Sequence, residues 1–366
     1  MLRILHVIGK MDRAGAETML MNLYRNIDRE KIQFDFMVFT NEEGDYDQEI
    51  KDLGGIIYHM PAFKGINYLS LYRKFGKFFK EHPYGIVHAH IGSLAPAYLK
   101  CAKRYGSYAI AHSHATNSNK LGERIVFSMF ASGVRNIADY FFACSEEAGI
   151  DRFGEKIVES TNFAIIKNAI DSEKFIYSEE RHQILKKKFG VENNLVIGHV
   201  GRFVASKNHK FIVEIAEEYL KTRKDVKFIF VGRGEEEENI KALIAKKNLE
   251  DYFIFAGVRN DIPDLMNTFD AFIFPSFYEG LGNVGIEAQA AGLPCFFSDT
   301  IPDEAVITDN VWKYPLSWGA AVWKEHMDQV LENYQRRNVQ SEVIKSGFDV
   351  RQSAKELEQF YLSKSN

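Results

Sequence analysis

The sequence predicts an α/β protein made of two Rossmann-like, doubly wound lobes. Short apolar segments alternate with amphipathic helical patterns along nearly the whole chain, which indicates parallel sheets covered by helices. The chain has 366 residues and is too long for one ordinary hydrophobic core. A looser, charged stretch near 168–194 separates the two halves. We therefore predict one lobe over 1–170 and a second over 171–347, facing a cleft in which a ligand binds at the carboxyl ends of the strands.

Each predicted element follows from a local pattern. Apolar runs predict strands of the first lobe at 3–8, 34–39, 56–60, 86–90, 108–112 and 140–144, and strands of the second at 195–200, 226–231, 252–256, 271–274 and 294–297. Apolar residues at helical spacing predict helices at 71–80, 179–189, 207–221 and 235–247. No tandem repeat or low-complexity segment interrupts this alternation.

The bulk composition is that of a soluble globular protein, with 46% hydrophobic and 26% charged residues. The net charge of −4 excludes a global basic field for nucleic acid. Cys101, Cys144 and Cys295 are isolated, which favours reduced thiols over a disulfide framework. No apolar run approaches the roughly 18 residues that span a bilayer. We expect a cytoplasmic protein that can associate with the inner face of the membrane.

Two glutamates eight positions apart carry most of the functional information. Glu279 and Glu287 lie in the segment 277–287, which follows an apolar strand and precedes a helix rich in small residues. Backbone N–H groups at the start of a helix bind phosphate, and a carboxylate on its first turns can bind a diol. Taken alone, two glutamates at this spacing are equally compatible with solvated carboxylates.

Two other loops follow strands and precede helices. Gly9 and Gly15 are six residues apart after the first strand, so neither the dinucleotide fingerprint nor the P-loop motif is present. In the second lobe Arg202 and Lys207 flank a loop after the strand at 195–200, where both cations can converge on one diphosphate. The alternative is that both cations are solvated.

Four histidines occupy two strand ends of the first lobe. His88 and His90 end one strand, and His112 and His114 end another, so each pair points to one face of the sheet. Imidazole is a common metal ligand, but no carboxylate or cysteine accompanies these residues at ligand spacing. We therefore predict no metal site, and an alternative is that these histidines are structural.

The spacing of Glu279 and Glu287 resembles the E-x7-E signature of retaining GT-B glycosyltransferases of the GT4-like class. The segment from Arg202 to Lys207 is similar to the G-R-x4-K motif of that class, with Asn208 in place of the usual glycine. The segment 167–171 looks like the N-G-[IV]-D signature of this class at the junction of the lobes, with Ala169 in place of the glycine. The segments 298–304 and 307–310 look like the EpsF-type exopolysaccharide and capsule branch. This resemblance implies a GT-B fold in which a C-terminal helix within 348–366 crosses back to pack on the first lobe.

The resemblance also implies roles for individual residues. Glu279 would contact the sugar hydroxyls, Glu287 the ribose diol, and Arg202 and Lys207 the donor diphosphate. The amides of the 282–284 turn would assist the departing diphosphate, and His114 would lie against the donor sugar, with His90 as a second candidate. The remaining contacts to the donor nucleotide implied by the resemblance come from Gly15, Val258, Arg259, Gly282, Asn283 and Val284.

The reaction implied is transfer of a sugar from a nucleotide donor to a hydroxyl, with retention of anomeric configuration. The expected substrate is a UDP-sugar, with no cofactor and no metal, and the expected acceptor is a polysaccharide or lipid-linked saccharide. A GT-B sugar-nucleotide epimerase, hydrolase or phosphorylase is one alternative, and a non-catalytic nucleotide-sugar-binding protein is another. The basic, aromatic segment 68–80 either lies on anionic lipid or packs on the sheet with its lysines in water.

Overall fold

The computed structural model describes residues 1–90, 94–114 and 132–365. The chain divides into two compact units, of which the first is Met1–Ile170 with Asp349–Asn366 and the second is Asp171–Phe348. The sequence predicted that the chain passes between the lobes after residues 170 and 347. In the structure it passes between the units after residues 170 and 348.

The first unit is built on a seven-stranded parallel sheet. Its strands lie in the order β3-β2-β1-β4-β5-β6-β7. All seven residues of β2 are buried, as expected for a parallel sheet covered on both faces. The strands are β1 (Leu2–Val7), β2 (Ile32–Val38), β3 (Ile57–His59), β4 (Ile86–His90), β5 (Tyr108–Ser113), β6 (Tyr140–Ala143) and β7 (Phe163–Ile165).

Helices cover both faces of this sheet. The last one packs on α1, and its residues Leu357 and Tyr361 belong to the same buried cluster as Leu20 and Tyr24. The helices are α1 (Gly15–Asn26), α2 (Asp47–Asp52), α3 (Tyr68–Glu81), α4 (Ala95–Arg104), α5 (Glu146–Phe153), α6 (Glu155–Val158) and, at the C-terminal end, α15 (Val350–Ser363); a 3₁₀ turn spans Ser132–Asn136.

The second unit contains a six-stranded parallel sheet of order β10-β9-β8-β11-β12-β13. Its strands are β8 (Leu195–Val200), β9 (Val226–Val231), β10 (Phe253–Gly257), β11 (Ala271–Phe274), β12 (Cys295–Ser298) and β13 (Val311–Tyr314). Its helices are α7 (Ser172–Phe175), α8 (Glu179–Lys188), α9 (His209–Leu220), α10 (Glu237–Lys246), α11 (Ile262–Thr268), α12 (Asn283–Ala290), α13 (Gly319–Asn333) and α14 (Gln340–Lys345). The short 3₁₀ segments are Ala205–Lys207, Glu250–Tyr252, Asp303–Ala305 and Leu316–Trp318.

The two-lobed α/β prediction is confirmed, and eleven predicted strands correspond to strands of the structure. Two strands were missed, β7 and β13, and both lie at a sheet edge. Their residues are mostly half-buried; β7 spans only Phe163–Ile165, and Lys313 interrupts the apolar residues of β13. The helix predicted from 207 begins at His209 instead, because Asn208 adopts a left-handed conformation before it.

Within the described ranges, no helix combines the length and the apolar composition that crossing a bilayer requires.

Candidate functional site

A buried ion pair joins the two loops that carry the predicted donor-binding residues of the second unit. Lys207 lies in the 3₁₀ turn after β8, and its Nζ forms an ion pair with Oε1 of Glu279, which follows β11. The hydroxyl of Ser276 donates a hydrogen bond of 2.6 Å to the same carboxylate oxygen. The side chains of Lys207 and Glu279 are only 17% and 8% exposed, so water screens this pair weakly.

Further contacts hold the same two loops together. Asn208 has φ 54°, and its side-chain amide donates to the carbonyl of Pro275 at 3.1 Å. The N–H of Phe277 donates to the carbonyl of Ser206 at 2.8 Å. Asparagine is one of the few residues that adopts this left-handed conformation at low cost, which explains how it replaces the usual glycine.

The glycine loop after Glu279 ends at the start of a helix. Gly282 has φ 76° and precedes α12. A Cβ atom at this position would lie 2.9 Å from Phe274 Cε1, so the turn requires glycine for both its backbone conformation and its packing. No side chain of Gly282 can cap α12, so the first N–H groups of Asn283 and Val284 remain suited to an anion.

Glu287 lies in the second turn of α12 and is partly buried. Burial raises the pKa of its carboxyl group to about 7. A carboxyl group that changes charge near neutral pH is a frequent property of functional sites.

Arg202 is exposed on a loop whose backbone is firmly fixed. The N–H groups of Gly201 and Phe203 donate to the carbonyls of Val231 and Arg233, at 2.9 and 3.1 Å. A Cβ at Gly232 would lie 2.1 Å from the carbonyl oxygen of Gly201, so the glycine permits close approach of the two loops.

The loop after β10 carries two residues predicted to contact the nucleobase. Val258 is 68% exposed. The guanidinium group of Arg259 donates to both carboxylate oxygens of Asp261, at 2.8 and 2.6 Å. Of the two side chains, Val258 is therefore the one that remains open to a ligand.

Gly15 and His114 belong to the first unit. Gly15 begins α1, and a Cβ atom there would meet no other atom within 4 Å. His114 directly follows β5 and is partly buried, and burial lowers the pKa of its imidazole to about 4.

His114 is part of a larger cluster than the sequence indicated. His6, on β1, joins the four predicted histidines, and the nearest ring nitrogens of His90, His112 and His114 lie within 4.8 Å of one another. Nothing in the local pattern of β1 distinguishes His6 from a core residue. Among the predicted site residues that the structure describes, a direct side-chain contact joins Lys207 and Glu279 in the second unit, and another joins His90 and His114 in the first.

Comparison with known proteins agrees with this arrangement. The family model for glycosyl transferases group 1 matches residues 180–346, and the model for Glycosyltransferase Family 4 matches residues 13–174. The chain is 34% identical over 363 residues to "Putative glycosyltransferase EpsF" of Bacillus subtilis (strain 168), covering 96% of this chain and 94% of that protein. The chain belongs to the group 1 glycosyltransferases. The predicted GT4-like class and EpsF-type resemblance are therefore confirmed.

More distant relatives also align with this chain over nearly its full length. An Escherichia coli protein, "UDP-Gal:alpha-D-GlcNAc-diphosphoundecaprenol alpha-1,3-galactosyltransferase", is 23% identical, with 95% of this chain and 96% of that protein covered. The crystal structure of Anabaena Alr3699/HepE in complex with UDP superimposes with a TM-score of 0.79 at 19% identity, covering 99% of this chain and all of that one. This likeness confirms the GT-B fold. The protein is a glycosyltransferase.

Proposed function

We propose that this glycosyltransferase is a retaining, metal-independent hexosyltransferase. It transfers a sugar from a UDP-sugar to a hydroxyl of a polysaccharide or lipid-linked saccharide. The observation that carries the proposal is the buried contact of Lys207 with Glu279, supported by Ser276, beside the glycine-started helix α12.

The chemistry requires positive charge where the diphosphate departs. Cleavage of the anomeric C–O bond leaves negative charge on the leaving group, and preorganised cations and amides stabilise it most effectively where water is excluded. Lys207 has three N–H donors, so it can retain Glu279 and still bind a phosphate oxygen. Arg202 and the N–H groups at the start of α12 would supply the remaining charge, which removes the need for a bound cation.

The other residues would bind the uncharged parts of the donor. Glu279 would accept hydrogen bonds from sugar hydroxyls, and the carboxylate of Glu287 would accept those of the ribose diol. Val258 and the backbone near Arg259 would contact the base. His114 would contact the donor sugar, and Gly15 would leave space for the donor phosphates at the start of α1.

Two of the compared proteins support UDP as the nucleotide. The Anabaena structure contains UDP, and the name of the Escherichia coli relative specifies UDP-galactose and a diphosphoundecaprenol-linked acceptor. The residues that we propose for the diphosphate would suit any nucleotide sugar. Our proposal of UDP and of a lipid-linked acceptor therefore rests on these two proteins.

A thermal-shift panel of UDP-, GDP- and ADP-sugars, with and without EDTA, tests the donor. A ligand of the native state raises the melting temperature, so UDP-sugars should stabilise the protein equally in both conditions. Stabilisation by a UDP-sugar that EDTA removes would contradict metal independence, and stabilisation by GDP- or ADP-sugars alone would contradict UDP.

Donor turnover, measured with and without an acceptor and after replacement of one carboxylate, distinguishes sugar transfer from the alternative functions. Glu279→Ala should lower turnover at least a hundredfold, whereas the control Glu238→Ala, on an exposed side chain, should leave it unchanged. A non-catalytic binder would show no turnover in the wild type. An epimerase or hydrolase would consume donor at the same rate without an acceptor.

We also propose that the first unit contacts an anionic membrane surface. The aromatic residues of α3 are largely in the core, with Phe75, Phe78 and Phe79 buried. The exposed face of the helix is basic, and two apolar side chains beside it, Ile66 and Leu69, are 97% and 72% exposed. Apolar side chains that can insert among headgroups, next to lysines, are typical of interfacial binding.

Vesicle co-sedimentation tests this surface. Replacing Lys74, Lys77 and Lys80 by glutamate should abolish binding to phosphatidylglycerol vesicles, while phosphatidylcholine vesicles should bind neither protein. The same triple charge reversal on the second unit, at exposed residues 187, 188 and 210, is the matched control. Equal loss of binding in both triple variants would show that net charge, and not α3, attracts the protein to lipid.

A further inference from the structure

Five histidines form one buried layer in the first unit, and the proposed transfer uses only one of them. We call them the histidine layer: His6 on β1, His88 and His90 on β4, and His112 and His114 at the end of β5. Neighbouring strands place His6 opposite His88, and His90 opposite His112. Among the described residues, no carboxylate is hydrogen bonded to the layer, so the rings bond to one another and to one tyrosine.

The layer contains two hydrogen-bonded chains. In the first, the hydroxyl of Tyr361 on α15 lies 2.6 Å from His88 Nδ1, and His88 Nε2 lies 3.2 Å from His112 Nδ1. In the second, His6 Nδ1 lies 2.9 Å from His90 Nε2, and His90 Nδ1 lies 2.6 Å from His114 Nε2. The first chain therefore ends at His112 on β5 and the second at His114, which directly follows β5. The rings of His112 and His114 have centroids 4.1 Å apart.

Burial keeps the rings of the first chain neutral. It lowers the pKa of His88 and of His112 well below the usual value for histidine. Each ring therefore carries one proton, on one of its two nitrogens, and the hydrogen bond made by the other nitrogen decides which.

Tyr361 sets the direction in which the hydrogen bonds of the first hydrogen-bonded chain are donated. Its ring is fully buried, and burial raises the pKa of the hydroxyl well above its usual value, so the hydroxyl keeps its proton. In the described part of the chain its hydrogen-bond partner is His88 Nδ1, so the tyrosine donates and that nitrogen accepts. His88 must then carry its proton on Nε2 and donate it to His112 Nδ1. His112 in turn must carry its own proton on Nε2.

The Nε2 of His112 is buried, and within the described ranges it has no hydrogen-bond partner. A buried N–H group without an acceptor is uncommon in folded proteins, and each case requires an explanation. Nδ1 of His114, two residues further along the chain, is also buried and without a partner within the described ranges. One of these unpartnered nitrogens belongs to His114, the proposed substrate-contacting residue, and the other belongs to the neighbouring ring of His112, which indicates a place for a ligand oxygen.

We propose that Tyr361 is a positioning residue that fixes His112 as an Nε2–H donor, and that this N–H binds an oxygen atom of the sugar substrate beside His114. The assignment of that oxygen to a sugar rests on the proposed function, whereas the direction of the hydrogen-bonded chain does not. Tyr361 would act as a buried carboxylate does when it fixes the tautomer of a catalytic histidine.

The imidazole tautomers of ligand-free protein test the direction. In ¹⁵N-labelled wild-type protein, long-range ¹H–¹⁵N correlation spectra should show His112 protonated at Nε2 and unprotonated at Nδ1. Tyr361→Phe removes only the hydroxyl, and we expect it to shift His88 and His112 toward the opposite tautomers. Tyr140→Phe is the control, because Tyr140 packs on the same helix through Phe360 without bonding to the layer.

Three results would overturn the direction of the chain. These are an unprotonated Nε2 on His112 in the wild type, tautomers that Tyr361→Phe leaves unchanged, and one equivalent of Zn²⁺ bound to the layer in the purified protein. A metal-bound nitrogen carries no proton, so metal analysis of the wild type decides between a cation and a ligand oxygen at this position.

Titration with the nucleotide-sugar donor tests whether His112 Nε2–H binds an oxygen atom of the sugar. A saturating UDP-sugar should shift the His112 Nε2–H resonance, and Tyr361→Phe should raise the donor Kd about tenfold with little effect of Tyr140→Phe. A wild-type protein that binds donor without moving this resonance would overturn the assignment. A wild-type protein with the expected tautomers that binds no nucleotide sugar would instead contradict the proposed function.

Discussion

The ion pair between Lys207 and Glu279 should be measurable as a coupling energy, because both loops of the candidate site depend on it. Three variants define the cycle: Lys207→Met, Glu279→Gln and the double replacement. Methionine keeps the length of the lysine stem, and glutamine keeps an oxygen that can accept from Ser276. The cycle therefore isolates the charge–charge contact from packing.

The magnitude follows from the burial of the two side chains. Removal of one partner of a fully buried pair costs about 3–5 kcal/mol, because the other charge is left without compensation. Lys207→Met leaves the charge of Glu279, which is 8% exposed and still accepts from Ser276, so we expect about 2–3 kcal/mol for this variant. Glu279→Gln should cost about 1–2 kcal/mol, since Lys207 can reach water, and the coupling should be about 1–2 kcal/mol.

Urea unfolding followed by tryptophan fluorescence is the assay. The chain has three tryptophans, Trp312, Trp318 and Trp323, and all lie in the second unit, so fluorescence reports the unit that contains the ion pair. The control is the exposed pair of Lys210 and Glu214, with 3.9 Å between Nζ and Oε1, whose coupling should not exceed about 0.5 kcal/mol. A coupling for Lys207 and Glu279 no larger than the control would refute the reasoning.

Four further predictions concern the same unit. If the ionised carboxyl of Glu287 binds the ribose, nucleotide affinity should fall about tenfold from pH 8 to pH 6, because its pKa is about 7, and Glu287→Gln should remove this dependence in calorimetric titrations. Its raised pKa means that ionisation destabilises the fold, so Glu287→Gln should gain stability over the wild type as pH rises from 4.5 to 7 and no further above it. Asn208→Gly should change the free energy of unfolding by a few tenths of a kcal/mol, whereas Asn208→Ala should cost about 1–2 kcal/mol, since alanine adopts φ 54° poorly and cannot bond Pro275. Gly232→Ala should cost more than about 2 kcal/mol in urea unfolding, because its Cβ would meet the carbonyl oxygen of Gly201; a cost similar to that of a surface Gly→Ala would contradict the contact.

Much of this fold could be predicted from the sequence because parallel strands buried on both faces are continuous apolar runs. The edge strands β7 and β13 were missed because β7 spans only Phe163–Ile165 and Lys313 interrupts the apolar residues of β13. The left-handed turn at Asn208 was visible only as a departure from a glycine motif. Its structural reason, the hydrogen bond to Pro275, joins residues 67 positions apart in the chain.

In the candidate site, too, local motifs predicted individual residues but not the contacts between residues that are far apart in the sequence. Glu279 and Lys207 were predicted from motifs that surround each residue. Their ion pair connects positions 72 residues apart, so no local pattern could predict it. The contact of Tyr361 with His88 spans 273 positions and depends on where the last helix packs. The role of Ser276 was likewise missed, because one serine after a strand resembles any turn residue.

Calorimetric titration of a UDP-sugar in the presence of EDTA tests the central claim most directly, when it is applied to the wild type, Arg202→Ala and Lys207→Ala. Cations and amide groups of the second unit should hold the diphosphate unaided, so the wild type should bind fully in EDTA. Each variant should bind at least tenfold more weakly, as expected for loss of a charge-assisted hydrogen bond. Binding that EDTA abolishes and Mg²⁺ restores, with both variants equal to the wild type, would contradict the account.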